Sequence, residues 1–125
     1  GYDCSSYIMS IYRTMGIQLP RNSGQQARTP GIALTFSRLD TMEQRMKNLE
    51  KLKPGAALCM PGHIMLYLGS YEGNHYIIHD FMGYWDTGFK YIPIDAVAVS
   101  SVMINDDYGT QFLMMLTSAL EFKLN

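Results

Sequence analysis

Apolar positions recur at two different periods along this chain. From Ser5 to Met15, residues Ile8, Ile11, Tyr12 and Met15 fall at helical spacing, with Asp3 in front as an N-cap and Ser6 in the first turn. Gly16 ends that helix. Residues 17–26 are polar and punctuated by Pro20 and Gly24, which predicts an ordered surface connection leading into a short helix near Gln25. Residues 28–36 read as loop followed by a short extended or helical piece, and residues 41–49 as one or two polar helical turns.

After the turn signal Leu52-Lys53-Pro54-Gly55 the pattern becomes that of strands. Residues 56–60 read as a short buried strand, and Pro61-Gly62 turns the chain. Residues 63–69 and 75–80 are rich in β-branched and aromatic residues and form a hairpin about Ser70-Tyr71-Glu72-Gly73-Asn74. Residues 89–93 and 96–104 predict two further strands, preceded by an aromatic, glycine-containing loop over 81–88. Residues 111–117 read as helix and 119–124 as a closing strand. Helices followed by a run of antiparallel strands predict an α+β fold.

Composition narrows the function classes. At 125 residues and 47% hydrophobic, the chain is expected to form one domain with a core of its own. Ten Lys and Arg against eleven Asp and Glu leave no basic footprint for nucleic acid or an anionic membrane. The longest apolar runs, such as Phe112 to Leu116, are core-sized, so no membrane span is expected. The chain begins with Gly rather than Met and reads as a processed or excised product, so no targeting address is legible. The ten Met residues read as core filler.

Candidate chemistry centres on Cys4. A thiol at the mouth of a helix is held as thiolate by the first-turn N–H groups and the helix dipole. Folding the hairpin about Tyr71 would set His63 opposite His79, Met65 opposite Ile77 and Tyr67 opposite His75, with the facing residues of each pair on one side of the sheet. A slip of one residue would separate the two imidazoles. A Cys nucleophile needs a base, for which His63 is suited, and the base needs an orienting partner, for which His79 is suited.

In order along the chain, Gly1-Tyr2-Asp3-Cys4-Ser5-Ser6, Leu19-Pro20-Arg21-Asn22-Ser23, Leu52-Lys53-Pro54-Gly55, Gly62 to Gly69 and Ile77-Ile78-His79 resemble the successive motifs of NlpC-type cell-wall peptidases. The resemblance implies a papain-like fold and hydrolysis of peptidoglycan stem peptides between D-γ-glutamyl and a diamino acid such as meso-diaminopimelate or Lys. It makes Cys4 the nucleophile, His63 the general base and His79 the third member, with Asp3, Ser5 and Ser23 as substrate-binding residues. It calls for no cofactor and no metal, and implies a bacterial envelope location, periplasmic or secreted, or a cytoplasmic role in recycling fragments. Such relatives often carry SH3-like domains upstream. They also have a helix and a Tyr-containing segment before the Asp-Cys-Ser motif, so residues 1–125 are expected to be a single peptidase domain without that segment.

Other readings stay open at this level. The same scaffold supports an amidase or acyltransferase, or a murein-peptide-binding module without turnover. Cys4, His63 and His79 are legitimate zinc ligands, but no fourth ligand at close spacing accompanies them. Cys59 reads as core packing or as the partner of Cys4 in a single disulfide, His75 as a solvated residue at the turn, and Tyr84-Trp85 either as a cleft wall or as cover for the core.

Overall fold

In the computed structural model, residues 9, 32–86 and 88–121 are described. The helix expected over 5–15 and the short helix near Gln25 lie outside them, apart from Met9, which is helical. The described elements are β1 (Ile32–Thr35), α1 (Met42–Glu50), β2 (Ala57–Met60), β3 (His63–Tyr71), β4 (Asn74–Trp85), β5 (Tyr91–Ser101), α2 (Phe112–Met115) and β6 (Ser118–Leu120). The strands form one antiparallel sheet in the order β1-β6-β2-β3-β4-β5. This is the expected α+β architecture.

The tight turns dictate this meander. Met60 pairs with His63, so Pro61 and Gly62 alone turn the chain between β2 and β3, and Gly62 takes a φ of +73° that suits a residue without Cβ. Between β3 and β4 the expected five-residue turn is in fact two residues. Tyr71 pairs with Asn74, and Glu72 and Gly73 both take positive φ, +50° and +79°. That is the type I′ geometry that matches the twist of the flanking strands.

Two strand boundaries also differ from expectation. β4 continues through the aromatic segment to Trp85 instead of giving way to a loop at 81, and β5 is continuous where two strands were predicted. Pro93 reads as a break in sequence, yet β5 is the outermost strand, where a residue lacking an N–H is tolerated.

α1 opens on a capping box. Thr41 Oγ1 accepts from the Gln44 N–H at 3.2 Å, and Gln44 Oε1 accepts from the Thr41 N–H at 2.7 Å. The helix then turns Arg45 and Leu49 inward. Arg45 is 2% exposed, and its guanidinium donates to the carbonyls of Leu113, Leu116 and Ser37 at 3.0, 2.9 and 2.8 Å. Two of those carbonyls close α2, where a helix lacks partners of its own, so one cation ties both helices together.

One face of the sheet carries Leu58, Met65, Tyr67, Ile77 and Ala119, packed against Leu49, Phe112, Leu113 and Leu116 of the helical side. The other face of the central strands is buried as well, at Ala57, Cys59, Ile64, Ser118 and Leu120. Among the described residues no helix is long and apolar enough to cross a membrane.

Candidate active site

His63 opens β3 directly after the Pro61-Gly62 turn, and His79 lies in the middle of β4. Their meeting depends on a β-bulge. Continued regularly from the Tyr71 and Asn74 pair, the ladder would set Leu66 opposite His79 and turn His63 to the far face. Instead the register shifts between Tyr67 and Gly69, so that Tyr67 pairs with Ile77 and Leu66 with Ile78. Met65 and His79 then share the face opposite Leu66 and Ile78, and His63 lies one step further along that same face. The expected register was therefore off by two residues, an even slip that preserves the face, and the histidines meet diagonally rather than directly opposite.

They meet closely. His63 Nε2 is 2.7 Å from His79 Nδ1, and the ring centroids are 5.0 Å apart with the planes inclined at 61°. His79 Nε2 lies 3.0 Å from Ser100 Oγ on β5. Phe112, the first residue of α2, meets both rings edge-on, with centroids 6.1 Å from His63 and 5.6 Å from His79. His79 is fully buried and His63 half-buried.

This burial favours neutral imidazoles. It pulls His63 down from 6.5 to about 4. His79 falls further, to about 3, through burial first and then repulsion from the His63 charge. Two adjacent cations in an apolar surround would be costly, so the pair holds its protons as N–H donors within a hydrogen-bonded chain.

His75 is not solvated, contrary to expectation. It is 1% exposed, its Nδ1 lies 2.6 Å from the Tyr67 hydroxyl, and its ring stacks on Tyr67 at 5.9 Å. Burial lowers its pKa against the opposing pull of Glu50. Cys59 is a buried free thiol, pushed up to about 11 by burial despite a hydrogen bond with Ser118, and so is inert packing. Trp85 donates its indole N–H to Asp107 at 3.1 Å and packs on Tyr91 at 5.3 Å, bracing the far end of the β4–β5 ribbon.

Of the expected site residues, the structure brings His63 and His79 together. Cys4, Asp3, Ser5 and Ser23 lie outside the described residues. Among the described residues, no group of three or more His, Cys, Asp and Glu side chains could hold a metal ion.

The family model described as "NlpC/P60 family" matches residues 1–86. This chain belongs to the NlpC/P60 family. The matched span takes in all six expected site residues, while Ser100 and Phe112 lie beyond it. Among solved structures, an NlpC/P60 family protein from Bacillus cereus ATCC 10987 superposes with a TM-score of 0.61 at 23% identity, covering 100% of this chain and 32% of that one. An NlpC/P60 endopeptidase from Photobacterium damselae subsp. piscicida gives a TM-score of 0.67 at 21% identity, covering 94% and 31%. The NlpC/P60 chain described here thus spans about a third of the length of these two relatives. The likeness establishes the expected papain-like fold. No match was found among curated proteins.

Sequence reasoning missed two residues that contact the histidine pair. Ser100 is legible only through alternation, because it shares the inward row of β5 with Ala98 once the strand is known to be continuous. Phe112 carries no signal of its own, since its place depends on how the segment after β5 folds back.

Proposed function

We propose that this chain is the catalytic domain of a cysteine peptidase that hydrolyses peptidoglycan stem peptides, at the bond between D-γ-glutamyl and a diamino acid such as meso-diaminopimelate or Lys. The observation that carries this reading is the 2.7 Å contact between His63 Nε2 and His79 Nδ1, which occupies one nitrogen of His63 and leaves Nδ1 as the edge to serve a nucleophile. In this reading the nucleophile is Cys4 and the substrate-binding residues are Asp3, Ser5 and Ser23, the roles implied by the resemblance of their motifs to those of the family. One of the structural relatives is itself described as an endopeptidase.

In this reading His63 Nδ1 takes the proton from the Cys4 thiol, and the thiolate sulfur attacks the γ-glutamyl carbonyl carbon. The tetrahedral intermediate collapses as His63 returns the proton to the leaving amine, giving a thioester on Cys4. His63 then deprotonates a water that attacks the thioester carbon, and the free carboxylic acid and thiol are restored. His79 holds the imidazole ring of His63 and its tautomer through both halves. A ring pulled to about 4 by burial is a weak base alone, so the thiolate has to support the imidazolium by charge. In the same reading Asp3 accepts a charge-assisted hydrogen bond from a stem-peptide ammonium group. The setting is the bacterial envelope or the recycling of released wall fragments.

The test is to incubate the full-length protein with L-Ala-D-γ-Glu-diaminopimelate under reducing conditions and weigh the products. Release of the free diamino acid by wild type, abolished in Cys4→Ala, is expected. No cleavage by wild type, or equal cleavage by Cys4→Ala, refutes the reading. A broken bond elsewhere, or a transferred acyl group, moves the chain to an amidase or acyltransferase on the same scaffold.

A further inference from the structure

We propose that Ser100 is a positioning residue that sets the proton arrangement of the histidine pair: its Oγ accepts the His79 Nε2–H, so that His79 Nδ1 accepts from His63 Nε2–H and His63 Nδ1 is kept free of a proton. This rests on the peptidase reading for its catalytic consequence, though not for its structural one.

The contacts His63 Nε2 to His79 Nδ1 at 2.7 Å and His79 Nε2 to Ser100 Oγ at 3.0 Å form a continuous chain of three side chains from three adjacent strands. Two proton arrangements satisfy it when both rings are neutral. In one, every donor points toward Ser100: His63 Nε2–H to His79 Nδ1, and His79 Nε2–H to Ser100 Oγ. In the other, every donor points away: the serine hydroxyl to His79 Nε2, and His79 Nδ1–H to His63 Nε2, which forces the His63 proton onto Nδ1.

Only the first leaves His63 Nδ1 able to take a thiol proton. It is also the only one that survives that transfer, because an imidazolium at His63 donates from both nitrogens and needs His79 Nδ1 as its acceptor. Ser100 is the oxygen that receives the displaced donor at the end of the row.

Its placement is set by the sheet. Ser100 pairs with Ile77, whose side chain is fully buried on the histidine face, and Ala98 pairs with His79, so Ser100 lies diagonal to His79 on that face. The Ser100 hydroxyl at this point has the His79 ring as a partner.

The experiment reads tautomers and rates on the full-length protein. Two-bond ¹H–¹⁵N spectra of the imidazole rings report which nitrogen carries each proton, and steady-state hydrolysis of L-Ala-D-γ-Glu-diaminopimelate reports kcat and KM. Wild type is expected to show both rings as Nε2–H. Ser100→Ala should shift both toward Nδ1–H and lower kcat by roughly tenfold to a hundredfold with KM unchanged, the usual scale for removing one buried hydrogen-bond partner. Ser100→Thr keeps the hydroxyl and should restore both readouts. Ser100→Cys keeps the volume but is a weak acceptor, so it should behave as Ser100→Ala even if the alanine variant fails to fold. Wild-type rings already protonated at Nδ1, or Ala and Cys variants with wild-type tautomers and kcat, overturn the proposal. If the rings respond as expected and wild type cleaves no murein peptide, the role of Ser100 stands and the peptidase reading falls.

Discussion

Acid should unfold this domain through its buried imidazoles. In the folded chain His63 is lowered to about 4 and His79 to about 3, while both return to about 6.5 when the chain unfolds. Below that value the unfolded rings bind protons that the folded rings exclude, so stability present above 6.5 is lost as pH falls toward 4 and then 3. At about 1.36 kcal/mol per proton and pH unit, each ring costs about 2 kcal/mol at pH 5. His63 is partly open to solvent, which trims its share and sets the total for the pair at about 3 kcal/mol. A domain of this kind has about 5–15 kcal/mol in all, so the loss is large. The assay is urea unfolding at pH 7.5 and pH 5.0, followed by the fluorescence of Trp85, the sole tryptophan. Wild type is compared with His79→Asn, whose amide can still accept from His63 but does not titrate. Wild type should lose about 3 kcal/mol between the two pH values and the variant about 1 kcal/mol, the trimmed share of His63. Stability flat across this interval, or an identical loss in both proteins, would refute the account of the pair as buried and neutral.

Two further outcomes follow from the hairpin. Tyr67→Phe keeps the ring but removes the hydroxyl 2.6 Å from the buried His75 Nδ1, and should cost about 1–3 kcal/mol in urea unfolding; a change within error would show that this bond adds nothing. Glu72→Asn should raise the thermal midpoint by a few degrees, because Glu72 sits at a φ of +50° in a turn where Asn before Gly is favoured; a lowered midpoint would mean that the Glu72 side chain has a role beyond the turn.

The sheet was largely legible because its strands are short apolar runs between Pro and Gly turns, as at Pro54-Gly55 and Pro61-Gly62. The hairpin tip was not, since Glu in a left-handed conformation gives no signal, and Glu72-Gly73 looked like part of a longer loop. The bulge left a single trace, Gly69, whose φ of +111° is readable only from coordinates. The histidine pair survived both errors because they shifted the register by an even number. His75 was misread through its neighbours. Asn74 and Gly73 suggested solvent, whereas alternation from Ile77 and His79 already placed it inward with a Tyr67 hydroxyl in reach. Pro93 misled for a related reason, as its tolerance depends on β5 being an edge strand, a property of topology and not of the residue.

The same bulge explains why the site is fixed in place. β3 is pinned at its start to β2 by the Pro61-Gly62 turn, and at its end to β4 by the Glu72-Gly73 turn. The first aligns Met65 with Leu58 on the core face, and the second starts a ladder that would carry Met65 and Tyr67 to the face away from Ile77 and His79. Residues 63–68 are apolar on both sides of the strand apart from His63, so hydrophobic burial alone discriminates weakly between these arrangements. The polar contacts discriminate strongly. In a regular ladder Tyr67 would lose His75, and His63 would lose His79, leaving imidazoles buried without the ring or hydroxyl that now faces each of them. At about 1–3 kcal/mol for each such loss, the two bonds outweigh the modest cost of one unpaired residue in the ladder. The contact that suits His63 and His79 for chemistry is therefore one of the two that select the fold in which they meet.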